Sequence, residues 1–188
     1  MRTHKNRLLS TLIILLGLLN THSIFADTSL YSINPGDTLE ISVWNEDALK
    51  RELKVLPDGT ISFPLAGVLS TTGKTVNDIQ KQLKEKLSVY IEDPVVNVAV
   101  RAVEGNSVFV MGQVNKPGSF VMYQPLNITQ ILGLAGGFTT FAKTGSVLIL
   151  RSENNKTKAI KFDYNDVEDG EGLESNIRLQ SGDVVIVP

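Results

Sequence analysis

Val108-Phe-Val-Met-Gly-Gln-Val-Asn-Lys-Pro-Gly-Ser-Phe-Val121, followed by Asn127-Ile-Thr-Gln-Ile-Leu-Gly-Leu-Ala-Gly-Gly137, reads as strand, turn, strand, short helix and double-glycine stop. Val108 and Val110 lead through Gly112 to Asn115-Lys-Pro-Gly118, where Pro117 presets φ and Gly118 supplies turn freedom. Phe120 and Met122 are expected to pack on the return. Asn127 is placed to cap a helix, with Gln130 three positions on to complete a capping box. Ile128, Ile131, Leu132 and Ala135 form its buried stripe. Gly136-Gly137 ends it by taking left-handed geometry at no steric cost. No group in this stretch makes or breaks bonds. It is a compact scaffold of the kind that binds or assembles.

Upstream lies a second set of signals. Pro35-Gly36-Asp37 is a turn, and Leu39, Ile41 and Val43 then alternate with polar residues as a half-buried strand. Trp44 falls out of phase; it either packs over the sheet edge or sits at an interface, and packing is favoured. Asn45 to Arg51 is polar and suits a helical turn. Leu53–Leu56 and Thr60–Phe63 flank Pro57-Asp58-Gly59, which predicts a hairpin. Pro64–Gly67 ends it, and Val68-Leu69 starts a short further strand. Thr75 caps the best helix, with Asp78 as the acidic arm of a capping box. Val76, Ile79, Leu83 and Leu87 make its apolar stripe. Lys81, Lys84, Glu85 and Lys86 on the other face are read as solvated. After Asp93-Pro94, Val96, Val98 and Val100 alternate as another strand. Gly105-Asn106 marks the boundary between two modules.

Downstream, Val147-Leu-Ile-Leu-Arg151 is a strand, turned back by Asn154-Asn155-Lys156 into Lys158–Phe162. Asp166 to Gly172 is read as an acidic, glycine-containing loop. It lacks the alternating ligands and closing Glu of an EF-hand, so a solvated loop is preferred to a calcium site. The chain ends on Ser181-Gly-Asp183 before Val184–Val187, which echoes Pro35-Gly-Asp37 before the first strand. Shared turn chemistry is enough to produce such an echo.

The N-terminus is different in kind. Arg2, Lys5 and Arg7 precede an almost wholly apolar Leu8–Leu19, and Ser23-Ile-Phe-Ala26 then meets Asp27. A basic head, an apolar run of about a dozen residues and a small residue at the cut describe a signal peptide over residues 1–26, cleaved between Ala26 and Asp27. The run is shorter than the roughly 20 apolar residues a spanning helix needs; an uncleaved anchor is the alternative. Removing its three basic residues leaves fifteen basic against twenty acidic, a net charge of about −5. That balance argues against nucleic acid as a partner and against a polybasic membrane-surface protein.

There is no Cys, and His4 and His22 both lie in the leader. A mature chain without either cannot build a thiol nucleophile, a disulfide, a Cys/His zinc site or a Ser-His-Asp triad. Asp37, Asp58 and Asp183 sit in turns, where local hydrogen bonding explains them. No phosphate-cradling glycine motif followed by Lys is present. The reading is not an enzyme, with no catalytic residue, no cofactor and no metal.

Taken in order, Tyr31-Ser-Ile-Asn-Pro-Gly-Asp-Thr-Leu-Glu-Ile-Ser-Val-Trp44, Leu56-Pro-Asp-Gly-Thr-Ile-Ser-Phe-Pro-Leu-Ala-Gly67, the helix from Thr75 and Asp93-Pro94-Val95-Val96 resemble the export domain of Wza-type polysaccharide export proteins. Val110–Phe120 with Ile131–Gly137 is similar to the soluble-ligand-binding β-grasp (SLBB) domain that follows it in that family. The resemblance implies an α+β fold of two modules, an export domain over 27–104 and an SLBB domain over 105–188. Pro35, Gly36, Asp37, Pro57, Asp58, Gly59, Gly112, Pro117, Gly118, Gly136 and Gly137 are the family-motif positions, read as structural.

It further implies a periplasmic, outer-membrane-associated ring that passes a capsule or exopolysaccharide, with an inner-membrane polysaccharide co-polymerase as partner. Two departures shape that expectation. Many members begin with a lipid-modified Cys, and this chain has none, so it is not read as a lipoprotein. Well-known members end in an amphipathic pore helix, whereas here a strand ends at Val187-Pro188, so a separate outer-membrane component is expected. The competing expectation is a monomeric periplasmic carbohydrate- or ligand-binding protein.

Overall fold

Leu39, Ile41 and Val43 are buried while Thr38, Glu40 and Ser42 between them are only partly so. This is the period-two pattern of a strand with one face on a core, and it builds β1 (Thr38–Val43). The structure, a computed structural model of the chain, describes residues 30–153 and 156–188. The signal segment 1–26 with its Ala26–Asp27 cut, and the Asn154-Asn155 turn, lie outside the described residues.

The fold is α+β, in two modules. In the first, β1 is the centre of a three-stranded sheet, flanked antiparallel by β2 (Glu46–Lys54) and β5 (Val96–Ala102). A separate two-stranded hairpin is formed by β3 (Thr60–Phe63) and β4 (Gly67–Ser70). Helix α1 (Val76–Leu87) lays Ile79, Leu83 and Leu87, all fully buried, against Leu39, Ile41, Val96 and Val98. Its start follows the sequence reading: the Thr75 hydroxyl accepts from the Asp78 amide, and the Asp78 carboxylate accepts from the Thr75 amide at 2.9 Å.

The second module is a five-stranded mixed sheet in the order β7-β6-β10-β8-β9. Its strands are β6 (Ser107–Gly112), β7 (Gly118–Val121), β8 (Val147–Glu153), β9 (Lys156–Phe162) and β10 (Val184–Val187). The last strand enters the middle of the sheet, parallel to β6 and antiparallel to β8. Helix α2 (Ile128–Leu134) covers one face, burying Ile128, Ile131 and Leu132, with Ala135 just beyond it, on Val108, Val110, Ile149 and Val185. Its capping box of Asn127 and Gln130 forms as read. Gly136 and Gly137 both take positive φ at its end. The two modules have separate hydrophobic cores, the first ending at Val98 in the chain and the second starting at Val108.

Four expectations are corrected. The Asn45–Arg51 segment is not helical: Asn45 takes a left-handed φ of 60° and turns the chain into the nine-residue strand β2. The helix-favouring composition of that strand is overridden by its ladder with β1, where Leu39 faces Leu53 and Ile41 faces Arg51. Second, the Pro57-Asp58-Gly59 turn forms, with the Gly59 amide donating to Leu56 O at 2.9 Å, but the registered partner of β3 is β4 rather than the strand before the turn. Third, Trp44 does not pack over the sheet edge; it is 73% exposed. Fourth, the acidic loop is partly helical, since Asp163 caps a short helix α3 (Tyr164–Glu168) by accepting from the Asn165 amide.

Candidate functional site

The two Pro/Ser-Gly-Asp turns that the sequence repeats are the same structure made twice. In the first, the Asp37 amide donates to Asn34 O at 3.1 Å and the Asp37 carboxylate accepts from the Asn34 amide at 2.8 Å. In the second, the Asp183 amide donates to Gln180 O at 3.1 Å and the Asp183 carboxylate accepts from the Gln180 amide at 2.8 Å. Gly36 and Gly182 take φ of 94° and 85°. Each turn launches a central strand, β1 or β10. Both carboxylates are buried, at 0% and 1% exposure.

A buried carboxylate needs partners on every side, and each has them. Asp37 Oδ2 also accepts from the Tyr31 hydroxyl at 2.6 Å, and Oδ1 from the Gly105 amide at 3.0 Å. Burial, reinforced by the hydrogen bond to Asp37, pushes the Tyr31 phenol well above its usual range. Asp183 is gripped bidentately by Arg151, at 2.9 Å from Nε and 2.7 Å from Nη2. That hydrogen-bonded pair raises the Arg151 guanidinium further above its ordinary value. Among the described residues no buried side-chain nitrogen or oxygen lacks a partner.

The turns converge on Gly105, between the modules. Its amide donates to Asp37 of the first module, and its carbonyl accepts from Ser181 Oγ of the second at 2.8 Å. A Cβ at Gly105 would collide with the Pro35 carbonyl and press on Asp37 Oδ1. The second turn is tied in further by Gly182 N donating to Ser107 O at 2.8 Å and Phe109 N to Asp183 O at 2.9 Å.

This arrangement holds backbone: the Asp37 carboxylate is engaged by the Asn34 and Gly105 amides and the Tyr31 hydroxyl, and that of Asp183 by the Gln180 amide and Arg151. Asp37 and Asp183 line neither of two clefts among the described residues. One, of about 300 Å³, lies between α1 and the start of β5, lined by Gln80, Lys81, Lys84 and Val95 among others. The other, of about 710 Å³, is lined by Lys143, Lys161, Asp163, Asp166 and Glu174 among others. Among the described residues no three His, Cys, Asp or Glu side chains come together to hold a metal ion, and no helix is long and apolar enough to cross a membrane.

The remaining motif residues shape turns. Asp58 Oδ1 accepts from the Thr60 amide at 3.0 Å and its hydroxyl at 2.7 Å beside Pro57 and Gly59. Gly112 closes the β6 ladder at Val187, whose carbonyl fills the space a Cβ would need. The loop before Pro117-Gly118 is fastened to the end of α2: Lys116 N donates to Ala135 O and Asn115 Nδ2 to Gly136 O, both at 2.8 Å. The opening stretch is therefore one hydrogen-bonded unit, as read. The sequence placed Gly105 at the module boundary and Ser181 in the repeated turn, but it did not pair them, and the roles of Tyr31 and Arg151 were not read; for Arg151 the available signal was a charge closing an otherwise apolar run.

Residues 26–101 match the family described as polysaccharide biosynthesis/export protein, and residues 106–187 match the SLBB domain. The EPS I polysaccharide export outer membrane protein EpsA of Ralstonia nicotianae is 27% identical over 190 residues, covering 87% of this chain and 49% of that protein. The capsule polysaccharide export protein BexD of Haemophilus influenzae is 26% identical over 173 residues, covering 82% of this chain and 42% of that protein. The exopolysaccharide production protein ExoF of Rhizobium meliloti is 26% identical over 103 residues, covering 53% and 24%. The chain thus spans half or less of the length of these curated relatives. With both domains present in sequence and matching two consecutive modules, the chain belongs to the Wza-type polysaccharide export protein family.

Proposed function

We propose that this chain is a structural component of a capsule or exopolysaccharide export conduit, assembling as a homo-oligomeric ring through which the polymer passes. The observation that carries the reading is the export domain followed directly by an SLBB domain over residues 26–187, shared with relatives named as polysaccharide export proteins. The leader, cleaved at Ala26–Asp27, delivers the chain to the periplasm, where it associates with the outer membrane. The ring works by enclosing a hydrated path rather than by bond chemistry. The described residues contain no His or Cys, and the two buried carboxylates are fully occupied by structural partners. An inner-membrane co-polymerase feeds the polymer in, and an outer-membrane component receives it.

Deletion of the gene tests this. Surface polysaccharide should disappear while lipid-linked precursors persist at the inner membrane, and a plasmid copy should restore export. Unchanged surface polysaccharide would remove the reading.

A further inference from the structure

Helix α1 carries two stripes. Ile79, Leu83 and Leu87 are the buried one. Asn77, Gln80, Lys81 and Lys84, spaced at three and four residues, make a polar one about a quarter turn away. That offset puts them on the shoulder of the helix, beside the sheet rather than facing away from it. There they form one side of the cleft of about 300 Å³. The other side is Pro94, Val95 and the first residue of β5, Val96. Pro94 and Val96 are buried, and Val95 is exposed. The lysine face of α1 is solvated as read, but one edge of it borders a groove with an apolar floor.

The polar side of the groove consists of groups the fold does not use. Lys74 donates to Gln82 and Lys84 to Asp93, at 3.1 and 3.0 Å. The side chains of Asn77, Gln80 and Lys81 bond no other described residue, and all three are exposed. Asp78 and Glu85 lie three and four positions from Lys81, yet neither comes within ion-pair distance of it. The Asp78 carboxylate is instead taken up by the Thr75 amide and hydroxyl. Asp93, which holds Lys84, is not among the residues lining the cleft. Residues 74–86 hold four lysines against two acids, in a chain whose balance from residue 27 onward is acidic. The groove therefore offers one unpaired ammonium, two unused amides and an apolar floor.

We propose that the groove between α1 and the start of β5 binds a carboxylate-bearing sugar residue. Lys81 supplies the cation for the carboxylate, with Lys84 beside it. The Asn77 and Gln80 amides can both donate to and accept from ring hydroxyls. Pro94 and Val95 suit the C–H face of a pyranose. The volume lies at the small end of ligand pockets, which fits one ring whose neighbours in a chain continue into solvent. The inference rests on the export reading above and names the class of polymer that reading would involve, an acidic polysaccharide. An exposed ion pair contributes little in water, so the groove holds a passing polymer weakly and releases it.

The test is isothermal titration of the purified chain at low ionic strength with three probes. They are a hyaluronan tetrasaccharide, the same tetrasaccharide with its carboxyls reduced to alcohols, and inorganic phosphate. The wild type is expected to bind the acidic tetrasaccharide with a Kd on the order of a millimolar. The reduced one should bind about fivefold more weakly, the scale of one exposed ion pair. Lys81→Gln should bind the two tetrasaccharides alike, and Lys81→Arg should restore the preference. Lys158→Gln removes an equally exposed charge from β9 and should behave as the wild type. A preference that survives Lys81→Gln, or that Lys158→Gln weakens as much, overturns the site. Phosphate bound as tightly as the acidic tetrasaccharide overturns the sugar. Binding of no probe overturns the groove as a ligand site; if deletion of the gene still abolishes surface polysaccharide, the conduit stands without it.

Discussion

The Gly105 amide donates to the Asp37 carboxylate at 3.0 Å across 68 positions of sequence, and the Gly105 carbonyl accepts from Ser181, 76 positions away. One peptide between two hydrophobic cores is thus fastened by each module in turn. The clasp depends on the missing side chain, because a Cβ there would collide with the Pro35 carbonyl. Gly105→Ala is expected to destabilise the chain by about 1–3 kcal/mol, the usual cost of forcing atoms into a filled site. Gly133→Ala is the control: that residue lies within α2 with nothing near its absent Cβ, and the change should stabilise by about 0.5–1 kcal/mol. Urea unfolding of both variants checks the signs; equal effects would show that the crowding at Gly105 relaxes freely.

Asp183 and Arg151 form the most buried ion pair among the described residues. Removing one member of such a pair strands the other, at a cost of about 3–5 kcal/mol. Arg151→Met should fall at the lower end of that range, since Asp183 keeps the Gln180 amide. Adding Asp183→Asn should recover part of the loss, because no buried charge remains and the amide oxygen can still accept from Gln180. A double-mutant cycle measures the coupling. Simple additivity of the two changes would mean that the pair contributes nothing as a pair.

What the sequence makes legible here is what depends on near neighbours. Both capping boxes, the Ile79–Leu83–Leu87 stripe, the alternation of β1 and the double-glycine stop are written within a few residues, and each forms as read. Strand β2 was not legible, because Glu46–Lys54 favours a helix in isolation and only its ladder with β1 makes it a strand. The pairing of β3 with β4 and the Gly105 clasp failed to show for the same reason: their partners are chosen by tertiary geometry. The two strands inside the second sheet could be seen: Val147-Leu-Ile-Leu150 and Val184-Val-Ile-Val187 are apolar without alternation, and they pair as neighbours away from the sheet edges.

The capping box of α1 should leave an acid signature. The Thr75 side chain and backbone hold the Asp78 carboxylate below its ordinary value. A group whose folded pKa is lowered contributes stability that is complete above its unfolded value and is lost as pH falls through the folded one. The loss attributable to Asp78 therefore belongs below about pH 4. Asp78→Asn should be less stable than the wild type at neutral pH, with the gap narrowing in that window. Unfolding midpoints from pH 6 to pH 2 follow it; a constant gap would assign the effect to something other than the charge.

Tyr31 gives the opposite limb. Its phenol donates to the buried Asp37 carboxylate at 2.6 Å, and burial together with that bond pushes it above its usual range. Here the folded state holds its proton more tightly than the unfolded chain. Stability is complete below the unfolded value of about 10 and is lost as pH rises from there toward the folded value. Tyr31→Phe removes a hydrogen bond to a charged acceptor, worth about 1.5–3 kcal/mol. It leaves Asp37 still bonded to the Asn34 and Gly105 amides. The variant should be weaker than the wild type at pH 8 and should approach it toward pH 11, because it has no proton to lose at that position. Unfolding curves across that range decide the matter: two proteins that lose stability in parallel would show that the Tyr31–Asp37 bond does not set the alkaline limb.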